Sequence, residues 1–316
     1  MRVLIELPTW LGDAVMATPA IENLINFHKD SEVILIGSPI SIEIFKNHPN
    51  ISELHILNKN YFSLFNDARK FGKFDIYLSF RSSIRSTLLK FFISSRYKYQ
   101  YRRSVLQNCH QVEKYNHFIN NSLDEDYSVG QLIIHPKKLS KESSELIKKH
   151  KPLLGINPGA SYGNAKRWYP EEFAKVAIKL SNQFDIVLFG GDSEKDISMD
   201  IEKLLIEKGV TNFKNISGKT SISELIQYIS NLDLFITGDS GPMHIAASFQ
   251  VPSITIFGPT KDNETSQWMA TRSIIVKKNL ECQPCMKRVC PLKHHNCMKL
   301  IKANNVLEAV NSLKLN

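Results

Sequence analysis

The sequence predicts an α/β protein built from two Rossmann-like, doubly wound domains that face a central cleft. Short apolar runs alternate along the chain with amphipathic segments of helical period, which is typical of parallel βαβ units. This alternation stops in a polar, charged stretch and restarts near Lys151. Loops that contain glycine follow several of the apolar runs, and doubly wound sheets bind ligands at the carboxyl ends of their strands.

Length and composition agree with this organisation. The 316 residues suffice for two domains, 1–150 and 151–316, and 42% hydrophobic with 22% charged residues is ordinary for a soluble protein. No apolar run approaches the roughly 20 residues that span a bilayer. Pro8 and Asp13 interrupt the first apolar stretch before it reaches the length of a signal peptide. We therefore expect a cytoplasmic protein whose contact with a membrane is peripheral.

The elements of the first domain follow in order. A strand over 2–7 is followed by a loop from Pro8 to Asp13 and a helix over 14–27. Further apolar runs predict strands at 33–36, 51–57 and 76–80, with a helix over 83–92. The charged segment that ends the domain predicts a solvated helix over 137–149.

The second domain repeats the pattern. Its predicted strands are 153–157, 186–189, 213–216, 234–237 and 253–257. Pro170, with two glutamates behind it, predicts the start of a helix that runs to about residue 182. An amphipathic helix over 306–313 ends the chain.

The segment TGDSGPMH, which follows the strand at 234–237, predicts a tight turn that leads into a helix. Asp239 or Ser240 can cap the helix that starts near Gly241. The turn then directs backbone N–H groups and the positive end of a helix dipole away from the sheet, which suits a diphosphate. His244 either donates to that phosphate or is simply half-buried.

A second loop, which follows the strand at 153–157, contains small residues and two bases. Gly159, Ala160 and Ser161 allow a phosphate to approach the backbone, and Lys166 and Arg167 supply positive charge. The alternative is a solvated surface loop. In the loop over 190–194, a carboxylate could bind ribose hydroxyls, although an ordinary strand-to-helix turn explains any single residue there better and the dinucleotide fingerprint is incomplete.

Near the N-terminus, Trp10 and Gly12 stand in the loop that ends at Asp13. Asp13 is either the N-cap of the following helix or a general base that accepts the proton of an attacking hydroxyl. The exposed tryptophan beside it favours a site wall over a simple cap.

A basic segment lies between residues 76 and 112. It contains seven basic residues and no acidic one, in a chain of net charge +9. Such a segment, interleaved with tyrosines, suits nucleic acid, an anionic membrane or an acidic glycolipid. The candidate acceptor-binding residues are Gly12, Arg81, Arg85, Arg102 and Arg103.

Four of the five cysteines are close together in the sequence. They are Cys282, Cys285, Cys290 and Cys297. Four thiolates in this spacing can close a tetrahedral zinc site or hold an iron–sulfur cluster. Free thiols and two local disulfides are the alternatives.

Three motifs, in order along nearly the whole chain, resemble the ADP-heptose:lipopolysaccharide heptosyltransferases. They are LGDAV after the first strand, NPGA with AKRW in the second domain, and TGDSGPMHIAA followed by FGPT. The NPGA and AKRW loop is most similar to the heptosyltransferase II branch.

The resemblance implies a GT-B fold and inverting transfer of L-glycero-D-manno-heptose from ADP-heptose to the heptose/Kdo inner core of lipopolysaccharide, without a catalytic cofactor. It implies that Asp13 is the base, that Lys166 contacts phosphate, and that Asp239, Ser240 and Gly241 form the nucleotide turn with His244. The implied partners are ADP-heptose, a Kdo/heptose-lipid A acceptor and the cytoplasmic face of the inner membrane, and no nucleic acid. The cysteines are outside the family pattern.

Two alternatives remain. A related enzyme, either heptosyltransferase I or III or a sugar-nucleotide epimerase, would share the fold and the phosphate loops. A zinc-containing nucleic-acid-binding protein would use the basic segment, but it leaves those loops unexplained.

Overall fold

The computed structural model of the protein describes residues 1–58, 60, 64–103, 106, 108–137 and 151–313. The chain divides into two compact units, Met1–His135 and Pro136–Asn316. Each unit is built around one parallel sheet, as the sequence predicts. The predicted helix over 137–149 and the predicted boundary at 150 fall on or beside residues outside the described ranges, so both stay predictions.

The first unit contains a five-stranded sheet in the order β3-β2-β1-β4-β5. The strands are β1 Arg2–Glu6, β2 Glu32–Gly37, β3 Glu53–Ile56, β4 Lys73–Ser79 and β5 Ser94–Gln100. Val3 in the central strand pairs with Val33 on one side and Ile76 on the other. Central parallel strands are covered on both faces, which is why β1, β2 and β4 are rich in buried aliphatic residues.

The helices of this unit are α1 Leu11–Met16, α2 Thr18–Phe27, α3 Pro39–Phe45, α4 Leu64–Lys70, α5 Ile84–Phe92 and α6 Gln111–Leu123. The single helix predicted over 14–27 is wrong, because the chain breaks at Ala17 into α1 and α2. Pro19 has no N–H to continue the helical ladder. The hydroxyl of Thr18 donates to the carbonyl of Val15 at 2.7 Å instead.

The second unit contains a six-stranded parallel sheet in the order β11-β10-β9-β6-β7-β8. The strands are β6 Leu153–Asn157, β7 Asp185–Leu188, β8 Phe213–Asn215, β9 Leu234–Gly238, β10 Ser253–Ile256 and β11 Ser273–Val276. Counted from β6, this is the Rossmann strand order, and it places the carboxyl ends of β6 and β9 side by side.

The helices of the second unit are α7 Pro170–Leu180, α8 Lys195–Glu207, α9 Ile222–Ser230, α10 Gly241–Ser248, α11 Asp262–Thr265, α12 Asn296–Lys299 and α13 Ala303–Ser312. Short 3₁₀ turns at Asn164–Lys166 and Asp192–Glu194 follow β6 and β7. In the part of the chain that the structure describes, no helix combines the length and apolar character needed to cross a bilayer.

Two edge strands, β5 and β11, are absent from the sequence prediction. Strand β5 reads SSRYKYQ, and most of its residues are at least partly exposed. Edge strands commonly carry charge, which discourages pairing with other chains. The tyrosines and bases of the basic segment therefore lie partly on a strand.

Glu6, the last residue of β1, is a buried carboxylate at the carboxyl edge of the first sheet. Its oxygens accept hydrogen bonds from Tyr77 at 2.9 Å, Ser79 at 2.6 Å and Ser86 at 2.9 Å. Arg81 adds a charged contact at 3.3 Å. Burial, followed by the charge of Glu6, raises the pKa of Tyr77 well above its ordinary value. A buried charge is tolerated where such donors surround it.

A second carboxylate, Glu22 on α2, ties the end of the first unit to its core. His48 Nε2 lies 2.6 Å from Glu22 Oε1, and His135 Nε2 lies 3.7 Å from the same oxygen. Burial alone would raise the pKa of Glu22. The hydrogen bond that His48 donates opposes that effect most strongly, and the pKa falls below its ordinary 4.5.

Because the pKa of Glu22 is lowered in the folded protein, its stabilising contribution is present above pH 4.5 and is lost as the pH falls through the lowered value. We expect Glu22→Gln, which keeps the hydrogen-bond geometry, to destabilise the protein by about 1 kcal/mol at neutral pH. The difference from wild type should shrink as the pH falls below 4.5 and through the lowered pKa of Glu22. Thermal melts across this range measure it, with Asp30→Asn as the exposed control. A difference that grows in acid would contradict the assignment.

Candidate active site

Residues 159–167, which we call the lysine loop, meet the turn after β9 at the carboxyl edge of the second sheet. Lys166 Nζ lies 2.5 Å from Asp239 Oδ2, and both side chains are largely buried, at 13% and 5% exposure. The hydroxyl of Thr260, from the loop after β10, donates to the same oxygen at 2.5 Å. Three loops therefore converge on one carboxylate.

The side chain of Ser240 joins β6 to β9. Asn157 Nδ2 donates to Ser240 Oγ at 3.1 Å and to Thr237 Oγ1 at 3.2 Å. Ser240 occupies the N-cap position of α10, as predicted, but it makes no capping hydrogen bond. The prediction that Asp239 or Ser240 caps this helix through its side chain is wrong, because both side chains bond elsewhere.

The start of the lysine loop is packed against Glu194, from the turn after β7. A Cβ on Gly159 would lie 2.1 Å from the carboxyl carbon of Glu194, so only glycine allows this approach. Glu194 is 7% exposed and accepts the N–H of Gly191 at 2.9 Å. Ala160 is buried, whereas Ser161 is exposed. The two loops that the sequence singled out therefore touch.

Core contacts fix the far end of the lysine loop. Trp168, which ends the AKRW motif, is 2% exposed and donates its indole N–H to the carbonyl of Ile301 at 3.0 Å. Tyr162 lies beneath Lys166, with Nζ 4.8 Å from the ring centroid, a cation–π contact. His244 lies in α10 and is 3% exposed, and its predicted contact with phosphate stays a prediction.

Asp13 is not a helix cap. Helix α1 begins at Leu11, so Asp13 is its third residue and Trp10 holds the N-cap position. Tyr115 on α6 points its hydroxyl at Asp13 Oδ1, 3.5 Å away. Burial, followed by the charge of Asp13, raises the pKa of Tyr115 well above its ordinary value. Gly12 precedes Asp13 within α1.

The predicted acceptor arginines divide into two pairs. Arg81 contacts the buried Glu6, and Arg85, which is 9% exposed, donates to the carbonyl of Asn58. Both therefore have partners inside the first unit. Arg102 and Arg103 are exposed just after β5.

A cavity of about 220 Å³ lies between the end of β5 and α6. Its lining includes Tyr99, Tyr101, Arg102, Lys114, His117 and Phe118. The ring of Tyr101 packs on that of Tyr115 at 5.1 Å, so the cavity adjoins the tyrosine that contacts Asp13. Sequence reasoning missed Lys114 and His117. Lys114, His117 and Phe118 are three and four residues apart and share one face of α6. This spacing was the sequence signal that could have predicted a common site.

Residues 282–297, which we call the cysteine segment, bring all four predicted thiols around one cavity of about 20 Å³. Burial, followed by the other three thiols, raises the pKa of Cys297 to about 11. Among the described residues, however, the three-ligand group within 4.8 Å is Glu22, His48 and His135, rather than the cysteines.

That histidine group does not suit a metal. The N–H of Asn50 donates to His48 Nδ1 at 3.1 Å, which leaves the ring proton of a neutral His48 on Nε2. Nε2 then donates to Glu22 and is not available as a ligand.

Residues 70–296 match the sequence profile of glycosyltransferase family 9 (heptosyltransferase). The chain is 41% identical to lipooligosaccharide heptosyltransferase 2 of Campylobacter jejuni, over 100% of this chain and 99% of that relative. It superposes on E. coli ADP-heptose LPS heptosyltransferase II with a TM-score of 0.82 at 20% identity, covering 99% and 98% of the two chains. For a family 9 glycosyl transferase of Veillonella parvula the TM-score is 0.88 at 23% identity, covering 99% and 96%.

These similarities confirm the predicted GT-B class of α/β fold with parallel sheets. They favour a transferase over the epimerase and the nucleic-acid-binding alternatives. Because the family profile matches most of the chain and the Campylobacter relative is similar from end to end, the protein is a glycosyltransferase that belongs to family 9, the heptosyltransferases.

Proposed function

We propose that this enzyme transfers L-glycero-D-manno-heptose from ADP-heptose to the heptose/Kdo inner core of lipopolysaccharide or lipooligosaccharide. The convergence of Lys166, Asp239 and Thr260 at the carboxyl edge of the second sheet carries the proposal. The names of the relatives support the substrates, since one is a lipooligosaccharide heptosyltransferase 2 and another is an ADP-heptose LPS heptosyltransferase II.

The second unit binds the donor in this proposal. Lys166 Nζ contacts both Oδ2 and, at 3.5 Å, the carbonyl oxygen of Asp239, and its remaining N–H can donate to the diphosphate. The N-terminus of α10, at Ser240 and Gly241, has no side-chain cap and can donate backbone N–H groups to the same anion. Glu194, which packs on Gly159, accepts the ribose hydroxyls in this proposal.

The reaction is a single displacement. The acceptor oxygen forms a bond to the anomeric carbon while the bond to the diphosphate oxygen breaks, and its electron pair leaves with ADP. Lys166 stabilises the charge that builds on this leaving group. Asp13 takes the proton of the acceptor hydroxyl. The predicted cleft between the two domains is part of this proposal.

The first unit binds the acceptor, whose carboxylates and phosphates are anionic. Arg102 and Lys114 line the cavity next to the Asp13–Tyr115 contact and supply positive charge there. Arg103 lies close enough to Tyr115 to lower its pKa electrostatically, against the dominant effect of burial. Arg81 and Arg85 shape this edge through their internal partners, and their contact with acceptor stays a prediction.

We also propose that α5 rests on the cytoplasmic face of the inner membrane, where a lipid-linked acceptor is located. Ile84, Leu88 and Phe91 occupy one helix face and are 80%, 40% and 78% exposed. Lys98 donates to the carbonyl of Phe91 at 3.4 Å, which places its charge beside this stripe. An apolar stripe beside bases, in a segment without acids, suits an anionic bilayer.

Removing the ammonium group of Lys166 should distinguish its contribution to stability from its contribution to ADP binding and turnover. Lys166→Ala leaves Asp239 buried without its cation, so we expect a loss of about 3–5 kcal/mol of stability together with loss of ADP binding and turnover. The double variant Lys166→Ala/Asp239→Ala should regain stability but neither ADP binding nor turnover. Urea unfolding, calorimetry with ADP and transfer assays measure the three effects.

The control for this series is Lys175→Ala, which removes an exposed ammonium group that pairs with the largely buried Glu172. It should leave ADP affinity and turnover at the wild-type level. Recovery of full activity by the double variant would remove Lys166 from the donor site.

Asp13→Asn should reduce transfer by about 10²–10⁴-fold while ADP affinity stays unchanged, because the amide cannot accept the proton. Mass spectrometry of a truncated core acceptor incubated with ADP-heptose measures the product. Asp124→Asn, in an exposed position after α6, is the matched control. If the rate and the ADP affinity fell in parallel, Asp13 would have a structural role instead.

Ile84→Ser/Phe91→Ser should lower sedimentation with vesicles of anionic phospholipid several-fold and leave transfer to a water-soluble acceptor intact. The control is Met199→Ser/Ile206→Ser on α8, where residues of the same spacing are 52% and 61% exposed. Vesicles of neutral lipid, or high salt, should weaken binding of the wild type. Equal losses in both double variants would show that α5 is not the membrane face.

A further inference from the structure

The cysteine segment holds the lysine loop through main-chain groups. The N–H of Ala165 donates to the carbonyl of Arg288 at 3.0 Å, and the hydroxyl of Tyr162 donates to the carbonyl of Met286 at 2.8 Å. A Cβ on Gly163 would lie 2.5 Å from the same Arg288 oxygen. The path of the chain between Cys285 and Cys290 therefore fixes where the residues before Lys166 lie.

His295 makes a further link to the lysine loop. Its Nε2 donates to the carbonyl of Ala165 at 2.9 Å, while its Nδ1 accepts the hydroxyl of Tyr169 at 3.1 Å. Both ring nitrogens thus have protein partners. His294 is exposed, and its Nδ1 accepts the N–H of Asn296 at 3.0 Å. Neither histidine is placed as a metal ligand, which leaves the four thiols as the donor set.

The cysteine segment also holds the loop after β10. Gln283 Nε2 donates to the carbonyl of Gly258 at 2.6 Å, and the N–H of Met286 donates to the carbonyl of Pro259 at 2.9 Å. Thr260, the next residue, is the one that donates to Asp239. Two of the three loops that form the candidate donor site therefore rest on this one segment.

Neither secondary structure nor apolar burial explains why the cysteine segment follows one path. Between β11 and α12 the described chain contains neither helix nor strand. Met286, Val289 and Leu292 turn 45%, 71% and 57% of their surface to solvent, so apolar burial contributes little there. All four thiols instead face one cavity of about 20 Å³, which Ala165 and Pro259 also line. That volume is close to the minimum that holds one water molecule, about 10–15 Å³, and so admits a single ion.

We propose that Cys282, Cys285, Cys290 and Cys297 bind one structural zinc ion, and that this ion fixes the cysteine segment in the path that positions Lys166. Four thiolates complete a tetrahedral shell and leave no open position, so the ion is structural and not catalytic. In the present arrangement no three of these sulfurs lie within 4.8 Å of one another. Cys282, Cys285 and Cys290 are partly exposed and line the cavity, so rotation about their side-chain bonds is the movement that would close the shell. The inference does not depend on the identity of the sugar donor or acceptor.

The zinc content of the purified protein tests whether the four cysteines bind an ion. We expect protein purified under reducing conditions, without chelators, to contain about one zinc ion per chain by plasma mass spectrometry. Cys285→Ser/Cys290→Ser should lose it, whereas Cys109→Ser, the thiol outside the segment, should keep it. Retention by the double variant, a wild type without metal, or paired disulfides among the four cysteines would overturn the site. Iron in place of zinc would overturn the identity of the ion.

Hydrogen–deuterium exchange tests whether the ion positions the lysine loop. Chelation of wild-type protein should increase exchange several-fold in peptides over 159–168 and 258–260, leave the first unit unchanged, and be reversed by added zinc. Tyr162→Phe, which removes only the bond to Met286, should keep the metal and raise exchange in the lysine loop alone. If zinc left and the lysine loop exchanged at its original rate, the ion would not position Lys166. Since these readouts involve no sugar nucleotide, failure of the proposed transfer reaction would be seen separately.

Discussion

The buried ion pair between Lys166 and Asp239 is the constraint on which the candidate donor site depends. Neither charge would be stable alone at 13% and 5% exposure, because an unpaired buried charge costs several kcal/mol. The pair can form because β6 and β9 are neighbours, with Asn157 directly opposite Thr237. The loops after the two strands are thereby brought together. In the proposed reaction, an arriving diphosphate would meet an ammonium group that is already oriented and partly desolvated, which leaves less reorganisation for the chemical step.

The first unit repeats the strand order of the second with one strand fewer, and it too has a buried carboxylate at the carboxyl edge. Here the buried charge at the carboxyl edge is Glu6, and hydroxyls of the neighbouring strand and helix supply most of its hydrogen bonds. This carboxylate draws Arg81 inward, while the bases beyond β5 remain at the surface beside the cavity. At the carboxyl edge of the first sheet, the exposed positive charge therefore lies beside β5, where Tyr101 and Arg102 line the cavity. An anionic acceptor would be drawn to that side, next to Asp13.

The sequence predicted the central strands and the edge strands β3 and β8 but missed the edge strands β5 and β11, and for β5 the reason is physical. Strands such as β1, β6 and β9 are buried on both faces and read as continuous apolar runs, whereas β5 is an exposed edge and reads as a polar, basic segment. The sequence placed Lys166 and Asp239 in loops that follow strands of one domain, but their ion pair depends on β6 and β9 being neighbours, which only the structure shows. The sequence also did not show that the hydroxyl of Ser240 bonds to Asn157, which is distant in sequence, instead of capping α10. Glu6 gave no local signal, since its donors come from other elements.

A lysine on a loop of small residues gains catalytic value only if the loop is rigid. Trp168 anchors one end of the lysine loop in the core, and Gly159 is held against Glu194 at the other. The middle, where Tyr162 and Ala165 lie, bonds instead to carbonyls of the cysteine segment. A misplacement of about 1 Å in a catalytic group can cost about 100-fold in rate. A segment without helix or strand can supply that precision only if something else fixes its own path, and four thiols around one small cavity are the feature of the segment best suited to do so.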